Sequence, residues 1–345
     1  MQPRQLFLIW RLIPLTVFLL VSLLVGIHWG AVELSFDEIR QNLWNPSADS
    51  QISMILWQIR LPRVILAACV GGGLAVAGAA FQGVFRNPLA DPFVIGASGG
   101  AALGATIALL CLSGSVSIIT GIWQIPWLIL SAFLGAMLVV GVVFLIAALS
   151  HAGRNAPLLT LILAGMALSS FTSALVSLIM FLNHEMLSTI FNWLLGSFSG
   201  RHWNEIVLTV PVIFSSAGLI WLLSRPLDLL SFGDETALML GLSTGKFRAI
   251  ILIAATMCTA ACVAVSGVIG FLGLMAPHMT RILLGPRHGL LVPGSCLLGA
   301  GLMVLADTLA RTVIAPAEIP VGIVTAMMGC PFFLFLLVSR WQQKK

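Results

Sequence analysis

The sequence predicts one all-α polytopic membrane domain, residues 1–345, with about ten transmembrane helices, and three observations predict it. Of the 345 residues, 59% are hydrophobic and only 8% charged. A water-facing surface needs about 25% charged residues, so a soluble globule of this size would lack polar cover. Apolar runs long enough to cross roughly 30 Å of hydrocarbon recur along nearly the whole chain. The 17 Lys and Arg residues are scattered between those runs. That is the pattern of membrane loops, not the basic stripe of a nucleic-acid binder. Lipid is the expected solvent, and nucleic acid is not an expected partner.

Hydropathy places spans near 12–30, 61–84, 93–113, 126–150, 157–182, 205–224, 247–265, 267–284, 290–311 and 320–339. A cleaved signal peptide is the other reading of the first run, which follows Arg4 and Arg11. The run is long and no small-x-small site follows it, so it reads as an uncleaved span. The seventh and eighth spans divide one apolar stretch at Ser266-Gly267. Ten spans put both termini on one side, and charge chooses the side. With the termini inside, twelve of the 17 bases lie at inner ends: Arg4, Arg11, Arg86, Arg154, Arg225, Lys246, Arg248, Arg281, Arg287, Arg340, Lys344 and Lys345. The outer ends hold the other five, Arg40, Arg60, Arg63, Arg201 and Arg311. The bias fits an N-in, C-in orientation.

Two pieces do not span. In the outer loop at 31–60, Ser35-Phe36-Asp37-Glu38 forms a capping box for a short surface helix that Asn45-Pro46 stops. In the inner segment at 228–245, Asp234 is placed to cap a short helix through Leu240, with Gly241 and Gly245 bracketing its end. A short apolar helix on that side either packs on the protein's own inner face or meets a partner. In the second span Ala67, Gly71, Ala75, Ala79 and Gly83 recur at every fourth position. Such a ridge lets a neighbouring helix approach closely, and its alternative meaning is a smooth wall along a wide pathway.

Metalloprotease and nucleotide-binding signatures are missing: no H-E-x-x-H and no Walker A, since Gly241-Leu242-Ser243-Thr244-Gly245-Lys246-Phe247 has the wrong spacing. The chain is not expected to hydrolyse ATP or to bind a cofactor. The six cysteines form no C-x-x-C pair, and Cys258 and Cys262, one turn apart, read as packing residues. No metal site is expected. Two other functions compete with a passive transport subunit: a proton-coupled carrier or exporter, and a membrane-embedded enzyme. A proton-coupled carrier keeps acids at membrane depth. Here Asp307 is the one candidate, and Arg311 one turn later suggests a structural ion pair. On the outer side, Arg60, Arg63 and Arg311 run against the charge bias and read as a docking site for acidic groups of a soluble partner.

Several motifs together resemble the permease family of iron-chelate and cobalamin ABC importers. They are Arg60-Leu61-Pro62-Arg63, Gly78-Ala79-Ala80-Phe81-Gln82-Gly83, Asn87-Pro88-Leu89-Ala90-Asp91-Pro92 and Gly96-Ala97-Ser98-Gly99-Gly100. Others are Ser266-Gly267 through Gly270-Phe271-Leu272-Gly273-Leu274, Ala276-Pro277-His278, Leu305-Ala306-Asp307 and Glu318-Ile319-Pro320-Val321-Gly322. They cover essentially the whole chain in the family's order.

The resemblance implies a type II ABC importer permease in a bacterial or archaeal cytoplasmic membrane. It implies a homodimer with a path at the dimer axis, two ATPase subunits inside that bind ATP-Mg, and one substrate-binding protein outside. The family's outer docking arginines match Arg60, Arg63 and Arg311. Its coupling helices match the inner segment, with Asp228, Gly233, Asp234, Glu235, Leu238 and Gly241 as contact residues, which favours the partner reading. Its inner gate matches Asn87, Pro88 and Leu89. Leu158 and Leu159 stand where some relatives carry small polar gate residues. The expected cargo is a metal chelate, a ferric siderophore first, then haem or cobalamin. His28, His184, Met186 and His202 lie near the outer face, where they could touch haem.

Overall fold

The computed structural model describes residues 10–30, 32, 34–44, 50–113, 124–150 and 156–342, and every regular element among them is helical. Helix α1 (Ile13–His28) leads to the short α2 (Phe36–Trp44). Helix α3 (Gln51–Met54) runs through a π-helical turn, Ile55–Arg60, into α4 (Leu61–Phe85). A 3-10 turn at Pro92–Ile95 precedes α5 (Ala97–Ser113), α6 (Gln124–Leu149), α7 (Ala156–Leu182), α8 (Leu187–Leu194) and α9 (Trp203–Leu222). Two short helices follow, α10 (Ser224–Ser231) and α11 (Asp234–Met239). The chain ends with α12 (Thr244–Ser266), α13 (Leu272–Leu284), α14 (His288–Thr312) and α15 (Val321–Gln342).

Each of the ten apolar stretches holds a helix. Among the described residues six helices are long and apolar enough to cross a membrane, and Ile13–His28, Ala97–Leu112 and Val321–Leu336 are shorter apolar ones. The break at Ser266-Gly267 is real, but helix resumes only at Leu272 rather than at 267. Gly267 (φ 73°) and Phe271 (φ 67°) hold left-handed conformations that a continuous helix cannot contain. With 13 residues, α13 is about 20 Å long, less than a hydrocarbon core.

The core is built on α4. In its most apolar window 83% of residues are buried, against 17% in α7, so α4 is a central helix and α7 a peripheral one. The small-residue ridge serves packing. A side chain at Gly71 would meet the Gly299 carbonyl of α14 at 2.4 Å, and one at Gly78 would meet the Gly273 carbonyl of α13 at 1.7 Å. These backbones touch, so the small residues of α4 are spent on its neighbours rather than on a pathway wall. Cys258 and Cys262 pack on the same helix, with Sγ 3.4 Å from the Gly73 carbonyl and 3.6 Å from that of Val70. None of the six cysteines is in a disulfide.

The capping box forms as predicted. Ser35 N–H donates to Glu38 Oε2 at 2.7 Å, and Glu38 N–H donates to Ser35 Oγ at 3.3 Å. The Ser35 amide, and then its hydroxyl, hold the Glu38 carboxyl below the usual carboxylate range. The Asn45-Pro46 stop lies outside the described residues, as do Arg4, Arg154, Lys344 and Lys345.

Candidate functional site

The arginines expected to dock a soluble partner are not free outer cations. Arg60, Arg63 and Arg311 are buried, and each guanidinium is engaged within the chain. Arg63 grips Asp307 through Nε (3.0 and 3.1 Å) and Nη2 (2.9 Å), while its Nη1 donates to Glu318 Oε1 at 2.8 Å. Arg311 pairs with Asp307 at 3.7 Å and donates to the Gly26 carbonyl of α1. Arg60 donates to the carbonyls of Ile27 (2.7 Å), His28 (2.8 Å) and Val32. A buried charge must be paired and hydrogen-bonded to be tolerated, and here one carboxylate serves two arginines. The network ties α4 and α14 to the end of α1 and to the segment before α15. The Asp307–Arg311 pair read from helical spacing is present, but Arg63 is the stronger partner.

Beside these arginines opens a cleft of about 760 Å³ lined by residues including His28, Trp29, Ser35, Glu38 and Thr312. Arg60 packs against Gly30, one of the lining residues. Its Nη2 lies 3.0 Å from where a side chain at Gly30 would begin. His28 stacks on Phe36 with ring centroids 4.1 Å apart. His202 instead accompanies the start of α9, its N–H donating to Glu205 Oε2 at 2.9 Å, and His184 lies against Phe181. No group of three or more His, Cys, Asp or Glu among the described residues is placed to hold a metal ion.

At the opposite end of the bundle the carboxylates hold the geometry. Asp234 does not cap α11: Gly233 (φ 112°) is the N-cap and its neighbour's carboxylate points elsewhere. Asp234 accepts from Arg248 Nη2 at 2.8 and 2.9 Å and from Arg86 Nη2. On α10, Asp228 Oδ1 accepts from the His288 backbone N–H at 2.8 Å and from His288 Nδ1 at 2.7 Å. The far edge of that imidazole lies 2.7 Å from where a side chain at Gly83 would begin. Both acids of this segment therefore reach bases packed at the last turn of α4. Gly241 (φ 82°) closes α11 in a Schellman motif, with Leu242 N–H to the Ala237 carbonyl and Gly241 N–H to that of Leu238, both at 2.9 Å. Gly245 plays no part in that ending, since it lies in the first turn of α12.

Helix α11 has two faces. Ala237 is fully buried against the protein, while Leu238, Met239 and Leu240 are exposed, Met239 at 87%. Phe232 is exposed just before it, and so is Glu235. The reading of a helix packed on the protein's own inner face holds for the Ala237 side, and the outward face is an uncovered apolar patch.

The inner turn at Asn87, Pro88 and Leu89 begins where α4 ends. Asn87 Oδ1 accepts from Leu89 N–H at 3.0 Å, an Asx turn that fixes the corner. Asp91 caps the following 3-10 turn by accepting from Phe93 N–H at 2.9 Å, and burial pushes its carboxyl up to about 6. Leu158 and Leu159 lie at the start of α7, Leu158 half-buried and Leu159 exposed. The ion pairs named above join ends that the sequence places on the same side. The set Arg63, Asp307, Arg311 and Glu318 is outer, and the set Arg86, Asp228, Asp234, Arg248 and His288 is inner.

The chain is 39% identical to the Fe(3+)-citrate import system permease protein of Bacillus subtilis, over 94% of this chain and 93% of the relative. It is 37% identical to the hemin transport system permease protein of Yersinia pestis, over 96% of both chains. A solved structure described as a metal-chelate type ABC transporter in an inward-facing conformation superposes with a TM-score of 0.82 at 34% identity, covering 95% of this chain and 98% of that one. The chain is a multi-pass protein of the cytoplasmic membrane with the type II ABC importer permease fold. The family model described as the FecCD transport family matches residues 18–339, and the chain belongs to that family as a membrane permease of its importers.

Proposed function

We propose that this permease works as a homodimer that carries a metal chelate inward, driven by two separate ATPase subunits and supplied by one external binding protein. Both termini face the cytoplasm and ten helical segments make up the membrane domain. The observation that carries the reading is α11. It buries Ala237 and turns Leu238, Met239 and Leu240 outward, with Phe232 beside them. An apolar patch on the cytoplasmic side needs a cover, and an ATPase surface supplies one.

Dimerisation is supported by a second uncovered region. Helix α7 is mostly exposed, and a groove of about 620 Å³ lined by Leu194, Leu195, Val268, Ile323 and Met327 opens beside α15. On the outer side the binding protein would sit on the cleft at His28, Trp29, Ser35 and Glu38. The Arg60, Arg63 and Arg311 network supports that surface from beneath, in place of direct capture by the three guanidinium groups. The cargo is a ferric siderophore or citrate-type chelate in the first place, with haem and cobalamin as the next candidates. No tight site for it is required in the permease, because affinity comes from the binding protein and direction from ATP. ATP-driven closure of the nucleotide-binding subunits would move α10 and α11 and switch the inner gate at Asn87, Pro88 and Leu89, with Leu158 and Leu159 beside it.

The test is affinity purification of the chain from native membranes in mild detergent. The expected result is copurification of a Walker-A ATPase that is lost when Met239 and Leu240 are both replaced by Asp. Recovery of the same ATPase with that variant would remove α11 from the interface.

A further inference from the structure

Arg86 stands where a glycine is normally required. Helix α4 closes in a Schellman motif, with Asn87 N–H to the Gln82 carbonyl at 3.2 Å and Arg86 N–H to that of Gly83 at 3.3 Å. The residue at the left-handed position is Arg86, at φ 52°. For a residue with a Cβ this conformation is unfavourable, and glycine occupies it freely. Nothing in the helix ending itself calls for a long cation, so the cost must be met by what the side chain reaches. It reaches Asp234 Oδ1, on the first residue of α11, whose carboxylate is also held through both oxygens by Arg248 of α12. The residue after Arg86 is Asn87, whose side chain fixes the inner corner.

We propose that Arg86 is a positioning residue. Gripped by Asp234, it transmits the placement of the α10–α11 segment to the inner turn at residues 87–91. The inference rests on the ATPase-docking reading for its function, but not for its geometry. Arg248 makes Asp234 a fixed pivot rather than a loose surface acid. Asp228 and His288 form a second fastening one turn back, against Gly83, so the end of α4 cannot swing independently of α10 and α11. A displacement of the short helices then pulls directly on the corner that follows Arg86.

Two measurements test this. In the permease alone, held in lipid nanodiscs, Asp234→Asn should raise amide exchange at residues 87–91 about threefold to tenfold, with α14 unaffected. Arg86→Gly relieves the left-handed conformation, so the fold should be at least as stable as the original. In the reconstituted complex, Arg86→Gly should nevertheless lower uptake per ATP hydrolysed by a similar factor. The double variant Arg86→Gly with Asp234→Asn should be no worse than Asp234→Asn alone, because the ion pair that Arg86→Gly removes is already lost there. Unchanged exchange at residues 87–91, full uptake per ATP with Arg86→Gly, or additive losses in the double variant would each overturn the proposal. A wild-type permease that shows no ATP-driven uptake, while Asp234→Asn still loosens the turn, would instead overturn the ATPase reading and leave the structural link standing.

Discussion

The two ends of this bundle use charge in opposite ways. At the outer end the cations are buried, and they bind helices that already pack along their lengths: Arg63 and Arg311 share Asp307, and Arg60 binds three carbonyls around the end of α1. At the inner end the anions sit on short helices with exposed faces, and they reach bases on long ones: Asp234 to Arg86 and Arg248, Asp228 to His288. The first arrangement fastens large elements to each other and makes a stiff end. The second fastens a small, surface-mounted segment to the frame. Burial decides the energetics. Asp307 is almost fully buried, while Asp234 and Asp228 are partly exposed, so loss of a partner is far more costly at the outer end.

The largest effect that would sharpen this contrast is expected from Asp307→Ala, which leaves two buried guanidinium groups without their shared acid. A loss of about 3–5 kcal/mol is expected, seen as a strongly lowered midpoint of thermal unfolding in nanodiscs. An unchanged midpoint would break the picture of a stiff outer end. Asp228→Ala comes next. It removes the acceptor for both His288 donors and should cost about 1–3 kcal/mol, with exchange rising at the start of α14. Met239→Asp should stay within about 0.5 kcal/mol in stability, since that side chain is exposed, yet weaken ATPase capture.

The smallest effect concerns Asp91, whose carboxyl is raised to about 6 by burial against an ordinary value of 3.8. The folded state therefore binds this proton more tightly than the unfolded one. Its stabilising effect is complete below about pH 4 and lost as pH rises through about 6. Asp91→Asn keeps the acceptor for Phe93 N–H without the charge. The variant should match the parent in acid and be slightly more stable above pH 6, measured as thermal midpoints across pH 4–8. A wild-type midpoint that rises over that range relative to the variant would reverse the sign and contradict the assignment.

What was legible in the sequence was local. The Ser35 and Glu38 capping box, the break at Ser266-Gly267, the Gly241 ending of α11 and the Asp307–Arg311 spacing all depend on residues within a few positions of each other. The ridge on α4 was legible because small residues at every fourth position form one face, though its choice between packing and a pathway wall, and the helices it meets, did not follow from spacing. The ion pairs that join the long helices at the outer end and the short helices to the frame at the inner end are distant in sequence. Arg63 and Asp307 are 244 residues apart, and Arg86 and Asp234 are 148 apart. Local spacing assigned Asp234 to the cap of its own helix, because nothing nearby announces the two arginines that claim it. The outer arginines were taken for surface groups for the same reason. A signal was present, since Asp307 and Glu318 fall at the same predicted outer ends as Arg63 and Arg311, and four charges at one buried helix end have more reason to pair with each other than to wait for a partner.

The most direct test of the account is transport by the purified permease in proteoliposomes, with and without the ATPase that copurifies with it, using ferric siderophore, ferric citrate, haem and cobalamin each delivered by the external binding protein. The account predicts that one of these accumulates only when the ATPase is present and ATP is hydrolysed, and that accumulation falls when Arg86 is replaced by Gly. Accumulation or release driven by a pH gradient across liposomes that hold the chain alone, with ATP making no difference, would contradict it.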